Sequence, residues 1–130
     1  MNKIQTLHSF WSGFGLKAYD ENSVPEQVDN GSGGKTKLEP PYITYEVITD
    51  EFGRMLSLTA SLWYRSASWA EITAKEQQIS DFITRGGRMI AYDGGAMWIQ
   101  KGSPWAQRMG DPSDEMIRRI VLNIVIEFLD

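Results

Sequence analysis

The chain has 130 residues, of which 42% are hydrophobic and 23% charged, and its formal net charge is −4. This length and composition are typical of a single globular domain with one buried core. The chain has no cysteine, which excludes disulfides, thiolate nucleophiles and Cys-ligated metal sites. Its negative charge favours neither nucleic acid nor an anionic membrane as a partner. Because no apolar segment approaches the about 20 residues that cross a bilayer, and no signal peptide is evident, we expect a protein of the reducing cytoplasm, or of a particle assembled there.

The N-terminal residues have the apolar spacing of an amphipathic helix. The large apolar side chains that share one helical face are Ile4, Leu7, Phe10, Trp11 and Phe14. We therefore predict a helix over residues 2–14, ended by Gly13 or Gly15. Residues 16–41 contain many Pro and Gly residues and few large apolar ones, which predicts a long flexible loop. We expect residues 29–37 to be disordered in the free protein and to order on a partner.

The middle of the chain predicts a hairpin followed by a helix. β-Branched and aromatic residues at period two indicate strands over residues 42–49 and 54–65, joined by a turn at residues 50–53. Ser68 and Glu71 then fit a capping box at the start of a helix that ends at Gly86-Gly87. The side chains expected to be buried along this helix are Trp69, Ile72, Ile79, Phe82 and Ile83.

The C-terminal part of the chain predicts a second hairpin and a last strand. Residues 88–92 and 96–101 flank Asp93-Gly94-Gly95, which is a strong hairpin signal. Residues 102–115 are polar and contain Pro and Gly, so they predict a second loop. Residues 116–129 are apolar on nearly both faces, and we expect a central strand or one whose second face meets another subunit.

Together these elements predict one α+β domain over residues 1–130, in the order α-β-β-α-β-β-β. We expect a mainly antiparallel sheet of about four or five strands, with the two helices packed on one face.

Two glycine-rich segments resemble nucleotide-binding loops but lack the required context. One ends in Gly34-Lys35-Thr36, as a Walker A loop does, but its first glycine position is Asp29 and no apolar strand precedes it. Residues 13–18 fit the Gly-x-Gly-x-x-Ala fingerprint, but they follow a predicted helix rather than a strand. We interpret these segments as a flexible loop and a helix end, and we predict no bound nucleotide or other cofactor.

No arrangement of residues predicts catalysis. His8 is the only histidine, and no motif places a nucleophile beside it, so we interpret it as a surface or boundary residue. The carboxylates of Asp111, Asp114 and Glu115 suit a hard cation in type but lack the glycine and ligand spacing of an EF-hand loop. A solvated turn is the favoured interpretation, and we expect neither an enzyme nor a metal site.

Two of the five tryptophans are predicted outside the core. Trp63 is out of phase with Leu62 on its strand, and Trp105 lies in a polar segment. Aromatic residues and arginine outside the core are enriched at protein–protein contacts, although an overlying element of the same chain would cover these side chains equally well. The interface candidates are Trp63, Trp105, Gln107, Arg108, Lys35 and Lys37. The tryptophans predicted in the core are Trp11, Trp69 and Trp98.

Several of these segments together carry a family resemblance. A strand led by Pro40-Pro41, a hairpin, a strand ending in Leu62-Trp63-Tyr64-Arg65-Ser66 and a short Ser-capped helix follow one another along the chain. The pattern continues through Arg85-Gly86-Gly87-Arg88, Gly102-Ser103-Pro104-Trp105-Ala106-Gln107-Arg108 and the last strand at residues 118–128. This pattern resembles the tail-completion and neck proteins of tailed bacteriophages and prophages, of the tail-terminator type.

The resemblance implies a virion structural protein that is present in the host cytoplasm during assembly. Its subunits would form a ring, typically a hexamer, at the head-proximal end of the tail, in contact with the tail tube and head–tail connector proteins. A negative net charge would let DNA pass through the ring without binding. Two alternatives stay open: another neck protein, such as a connector adaptor or a minor capsid protein, and a small-ligand-binding or enzymatic domain.

Overall fold

The computed structural model describes residues 1–50 and 53–130. In that part of the chain the protein is α+β, as predicted, with two helices and eight strands. In chain order these elements are α1 (Lys3–Ser12), β1 (Lys17–Asp20), β2 (Gln27–Asp29), β3 (Lys35–Lys37), β4 (Tyr42–Tyr45), β5 (Met55–Arg65), α2 (Ala70–Ile83), β6 (Arg88–Tyr92), β7 (Gly95–Asp111) and β8 (Asp114–Leu129). No helix among these residues is both long enough and apolar enough to span a membrane.

Six of the strands form one mixed sheet in the order β1-β4-β5-β8-β7-β6. β1 and β4 are parallel, and the other neighbouring pairs are antiparallel. β2 and β3 form a separate antiparallel pair. The predicted count of four or five strands, and the predicted order, were therefore wrong, because three strands that we did not expect precede β4.

These three strands lie in the segment that we predicted as one long loop, residues 16–41. β1 has only four residues and is held by parallel pairing with β4, a non-local partner that period-two patterning does not reveal. β2 and β3 are joined by a turn in which the Asn30 side-chain oxygen accepts the backbone N–H groups of Ser32 and Gly34. Gly31 and Gly33 adopt positive φ angles of 82° and 83° in this turn. Residues 29–37, which we expected to be disordered in the free protein, therefore form part of an ordered hairpin, and the glycine-rich stretch is its tip.

The second predicted loop, residues 102–115, is also largely strand. β7 continues to Asp111 and β8 begins at Asp114, so only residues 112–113 connect them. The register shifts between Lys101 and Ala106, where Pro104 lies. Proline has no N–H to give to the ladder and is accommodated at a bulge, which explains why a Pro-containing segment stays within a long strand.

β8 is a central strand, as predicted, since it lies between β5 and β7. The side chains that it buries are Ile120, Leu122, Ile124, Ile126 and Phe128. Both helices pack on this face of the sheet, also as predicted: α1 buries Leu7 and Trp11 there, and α2 buries Ile72, Ile79 and Ile83. The opposite face carries Val121 and Val125, which are only half-buried.

The ends of both helices are now clear. α1 begins with a capping box of Asn2 and Gln5 and ends at Gly13, which confirms the predicted helix and its glycine stop. The capping box predicted for α2 was wrong: Trp69 occupies the N-cap position without a side-chain cap bond. The Ser68 hydroxyl instead accepts the backbone N–H of Ala70 within a turn.

Three other predictions need correction. Phe82 is 41% exposed rather than buried along α2. Trp98 is half-buried on the face away from the helices, because it alternates with the core residue Met97. The strand predicted over residues 42–49 ends at Tyr45. In the turn predicted at residues 50–53, Glu51 and Phe52 lie outside the described residues.

Candidate functional site

Both helices of the described chain pack on one face of the six-stranded sheet, and we call the other face the open face. Strand registry aligns five of its residues in a single row, here called the Trp63 row, which crosses β1, β4, β5, β8 and β7. The members of the row are Lys17, Tyr42, Trp63, Arg119 and Met109. The adjacent row on the helix-bearing face contains Ala18, Ile43, Leu62 and Ile120, all of them buried. The alternation of strand side chains therefore separates a core row from a solvent-facing row of large side chains.

Contacts among neighbouring side chains order the Trp63 row. The rings of Tyr42 and Trp63 are stacked with their centroids 6.3 Å apart, and the Arg119 guanidinium lies 4.6 Å from the Trp63 ring centroid. The Trp63 indole N–H donates to the Thr44 hydroxyl at 2.9 Å, and Arg119 Nε donates to the Ser61 hydroxyl at 3.1 Å. These bonds hold the side chains in place before any partner arrives, which lowers the entropy cost of a contact.

The Trp63 row combines a neutral aromatic centre with two basic side chains, Lys17 at its β1 end and Arg119 beside Trp63. Burial raises the pKa of the Tyr42 phenol, and Glu39 and then Tyr19 raise it further, so this hydroxyl stays protonated at physiological pH. Arg119 makes no ion pair with a carboxylate in the described part of the chain. A partner surface can therefore supply an acceptor to this guanidinium.

Exposed methionines extend the open face beyond the Trp63 row. Met109 is 45% exposed, Met55 is 61% exposed and Met89 is 54% exposed. Met55 and Met89 belong to a second row on the same face, which also contains Trp98 and Glu127. Methionine adapts its shape to irregular surfaces and is enriched at protein contacts.

Gln107 is exposed and lies on the open face opposite Val121, one row away from Trp63. The structure thus brings two of the predicted interface residues, Trp63 and Gln107, onto one surface.

Trp105 and Arg108 lie on the other side of the sheet, next to α2. The Trp105 indole N–H donates to the Glu76 carboxylate, and the Trp105 ring is partly buried against the core. Arg108 stacks on Trp69 at 4.9 Å from the ring centroid, and Arg118 stacks on the same ring at 5.2 Å. Trp105 is therefore covered by α2 of the same chain, which was one of the two interpretations of this residue from the sequence.

Arg108 also borders a shallow pocket of about 360 Å³ that Thr73, Glu76, Trp105 and Ile120 help to line. The pocket lies between α2 and the outer part of β7. It is separate from the open face.

Lys35 and Lys37 are exposed on β3, in the two-stranded hairpin, away from the other candidates. The loop amides that would hold a phosphate in a Walker A site instead donate to the Asn30 side chain. The glycine-rich segment joins two strands, whereas a phosphate-binding loop joins a strand to a helix.

His8 is exposed on α1 and contacts two hydroxyl groups. Its Nδ1 lies 2.7 Å from the Tyr45 hydroxyl, and its Nε2 lies 3.2 Å from the Ser12 hydroxyl. The group that orients the imidazole is thus a phenol rather than the carboxylate that stabilises an imidazolium in Ser-His-Asp hydrolases. Spacing of four residues on a helix explains the Ser12 contact.

The acidic residues at the β7–β8 connection bond within their own turn. Asp111 accepts the backbone N–H and the hydroxyl of Ser113, and Asp114 pairs with Arg65. The bonds from Ser113 lower the pKa of the Asp111 carboxyl group, and the Met116 backbone N–H and then Arg65 lower the pKa of the Asp114 carboxyl group. In the described part of the chain no three acidic or histidine side chains are grouped to hold a metal ion.

The other four members of the Trp63 row were not among the candidates from the sequence: Lys17, Tyr42, Arg119 and Met109. Arg119 and Val121 are out of phase with Ile120 and Leu122, and this alternation was the available signal for the open face. Tyr42 and Met109 join the row only through strand registry, which no local pattern contains.

Comparison with known proteins adds no further assignment: no family model, no curated protein and no solved structure matches this chain.

Proposed function

We propose that this chain is a structural subunit of a tailed-phage or prophage virion, of the tail-completion or tail-terminator type. In this proposal it forms a ring at the head-proximal end of the tail, and the open face is buried against the next protein of the tail. Its partners are other copies of the chain, the tail tube and the head–tail connector proteins. It acts in the virion and, during assembly, in the host cytoplasm.

The observation that carries this proposal is the Trp63 row on the open face of the sheet. Trp, Tyr and Arg are the residue types that most often dominate the binding energy of interfaces. Here they are fixed by hydrogen bonds and ring contacts, and they are surrounded by exposed methionines. A surface of this kind suits assembly with another protein better than it suits chemistry on a small molecule.

The family resemblance supplies the virion part of the proposal, and the net charge of −4 is compatible with DNA passing through a ring. Another neck protein would use the same surface with a different partner. The assay below distinguishes these roles by the particle to which the chain binds.

Met109 and Met116 offer a matched pair for the test. They are 45% and 40% exposed, and they lie on adjacent strands near the tip of the β7–β8 hairpin. Met109 is on the open face, whereas Met116 alternates with the open-face residue Ile117 and shares the helix-bearing side with Arg118.

The experiment measures co-sedimentation with purified tail tubes and counts rings on tube ends by negative-stain microscopy. We expect Met109→Glu to weaken binding about 30-fold or more in Kd, since burying an unpaired charge at an interface costs about 2 kcal/mol or more. Met116→Glu should bind as the wild type does. A wild-type chain that binds neither tail tubes nor connector particles, or equal binding by both variants, would contradict the proposal.

A further inference from the structure

A groove runs along the free edge of the sheet, between α1 and β6, and we call it the edge groove. Among the described residues β6 is the last strand of the sheet and pairs with β7 alone, so its outer backbone groups have no strand partner there. The groove has a volume of about 480 Å³. Its lining is mainly apolar and includes Phe10, Phe14, Phe82, Met89 and Ile90. An unpaired strand edge beside an apolar groove is the arrangement that binds an added β-strand.

Two polar groups at this groove have capacity for a ligand. Thr6, which also lines the groove, is 1% exposed, and its hydroxyl has no hydrogen-bond partner among residues 1–50 and 53–130. Arg88 lies over the Phe82 ring, 4.4 Å from its centroid, and donates to the Phe82 carbonyl at 2.9 Å. Within the described residues Arg88 makes no ion pair, so its guanidinium is available to pair with a carboxylate of another molecule.

The β2–β3 hairpin, which we call the arm, lies near the opposite end of the sheet. Together with β1 and α1 it lines a cavity of about 720 Å³. β3 is fully exposed and only Val28 of β2 is partly buried. An isolated two-stranded hairpin is marginally stable in water, so this arm gains most from additional strand pairing.

The β2 side of the arm matches the groove in charge, whereas the exposed Lys35 and Lys37 lie on β3. β2 and the residue before it carry Glu26 and Asp29, both exposed, and neither forms an ion pair in the described part of the chain. The edge groove presents the unpaired Arg88. Because alternate residues of a strand share a face, Glu26 and Val28 can together present a carboxylate to the guanidinium and a valine to the apolar lining.

We propose that the arm of one copy binds the edge groove of the next copy, with β2 adding to the free edge of β6. This proposal rests on the proposed self-assembly and names the contact between copies, whereas the open face is assigned to the rest of the tail. The arm and the groove lie at opposite ends of one sheet, so each copy donates at one end and accepts at the other. Head-to-tail contacts of this kind close into rings when the rotation between copies allows it.

The test uses one variant in the arm and one in the groove of the full chain. Val28→Asp has a defective arm and an intact groove. Phe82→Glu has an intact arm and a defective groove. Ile48→Glu is the control for Phe82→Glu, because Ile48 is 44% exposed, close to the 41% of Phe82, and it does not line the groove. The oligomeric state is measured by analytical ultracentrifugation over a range of concentrations, with circular dichroism to confirm that each variant is folded.

We expect the wild type and Ile48→Glu to form rings or larger oligomers at high concentration or on tail tubes, and each of the two variants to remain monomeric. An equimolar mixture of Val28→Asp and Phe82→Glu should form a 1:1 dimer and nothing larger, since only one intact arm and one intact groove can pair. Arg88→Glu should weaken association about tenfold, and Glu26→Arg added to it should restore most of that loss, because Glu26 shares the face of β2 that carries Val28.

Other outcomes overturn the inference in distinguishable ways. Wild-type-like association by Val28→Asp and Phe82→Glu would leave self-assembly standing and remove the arm and groove from it. If Phe82→Glu lost only tail-tube binding, the groove would belong to a different protein. A wild type that is monomeric both alone and on tail tubes would remove this inference together with the proposed function.

Discussion

Trp105 stabilises the isolated domain, and its replacement by alanine tests the packing of β7 against α2. The ring is partly buried against the core, and its N–H bonds to the Glu76 carboxylate. Replacing a fully buried aromatic residue by alanine costs about 3–5 kcal/mol, so partial burial suggests about 2 kcal/mol for the lost packing. Loss of a hydrogen bond to a charged group that is not fully buried adds about 1 kcal/mol.

The expected decrease in the free energy of unfolding for Trp105→Ala is therefore about 3 kcal/mol. For a domain of this size, that corresponds to a melting temperature lower by about 10 °C. Trp105→Phe retains most of the packing and removes the N–H donor, so we expect about one third of the effect. Glu76→Gln keeps an acceptor oxygen and should have the smallest effect of the three.

Urea denaturation and thermal melts of the three variants check this order. If Trp105→Ala melts at the same temperature as the wild type, the indole does not stabilise the isolated domain, and β7 does not pack against α2 through this residue. If Trp105→Ala retains assembly on tail tubes below its melting temperature, Trp105 is a core residue rather than an interface anchor.

Three further predictions test the local structure. Gly87 has a φ angle of 88°, and an added Cβ would lie 2.4 Å from Trp98 Nε1 and 2.9 Å from the Ile99 carbonyl oxygen. Gly87→Ala should therefore lower the free energy of unfolding by about 2 kcal/mol or more. Gly86→Ala should change it by about 0.5 kcal/mol at most, because no atom of the described residues lies within 4 Å of an added Cβ there, and equal denaturant midpoints for the two variants would refute this. Lys35→Ala should leave stability unchanged, and neither this variant nor the wild type should bind ATP, because Asn30 already accepts the loop amides. Saturable ATP binding by the wild type that this variant abolishes would contradict the interpretation of the loop. The pKa of Asp114 is lowered by the Met116 N–H and then by Arg65, so its ionised form stabilises the fold above about pH 4 and this contribution is lost as the pH falls further. Asp114→Asn should accordingly lose less melting temperature between pH 6 and pH 3 than the wild type does, and an identical or steeper loss would show that the turn bonds do not hold the carboxylate.

The sequence predicted those parts of the fold whose signals are local. The β6–β7 hairpin was predicted because Asp93-Gly94 provides a two-residue turn between alternating strands, and Gly94 has a φ angle of 90°. The burial of β8 followed from its length and from apolar residues on both faces. The two helices were predicted because their apolar spacing continues over several turns.

The missed strands were those whose stabilising contacts are distant in sequence. β1 is ordered by parallel pairing with β4, and four residues are too few for a period to be recognised. The bulge between Lys101 and Ala106 changes the phase of β7, so alternation read through Pro104 could not place Trp105 on the helix-bearing side.

The candidate surface was predicted in part for the same reason. Trp63 was identified because it alternates with the buried residue Leu62 along β5. The rest of the Trp63 row needed the pairing of Tyr42 with Trp63, of Trp63 with Arg119 and of Arg119 with Met109. These pairings depend on registry across four strands, and registry is a property of the folded sheet rather than of any one segment.

Burial of the open face on assembly can be measured by the rate at which peroxide oxidises its methionines. Met55 and Met109 lie on the open face and are 61% and 45% exposed, whereas Met116, 40% exposed, lies on the helix-bearing side. Mass spectrometry of the free chain and of the chain bound to tail tubes gives the rate at each residue. Our account predicts that binding protects Met55 and Met109 at least about tenfold while Met116 keeps its rate in the free chain. Unchanged oxidation of Met55 and Met109 in chains that are demonstrably bound would contradict it.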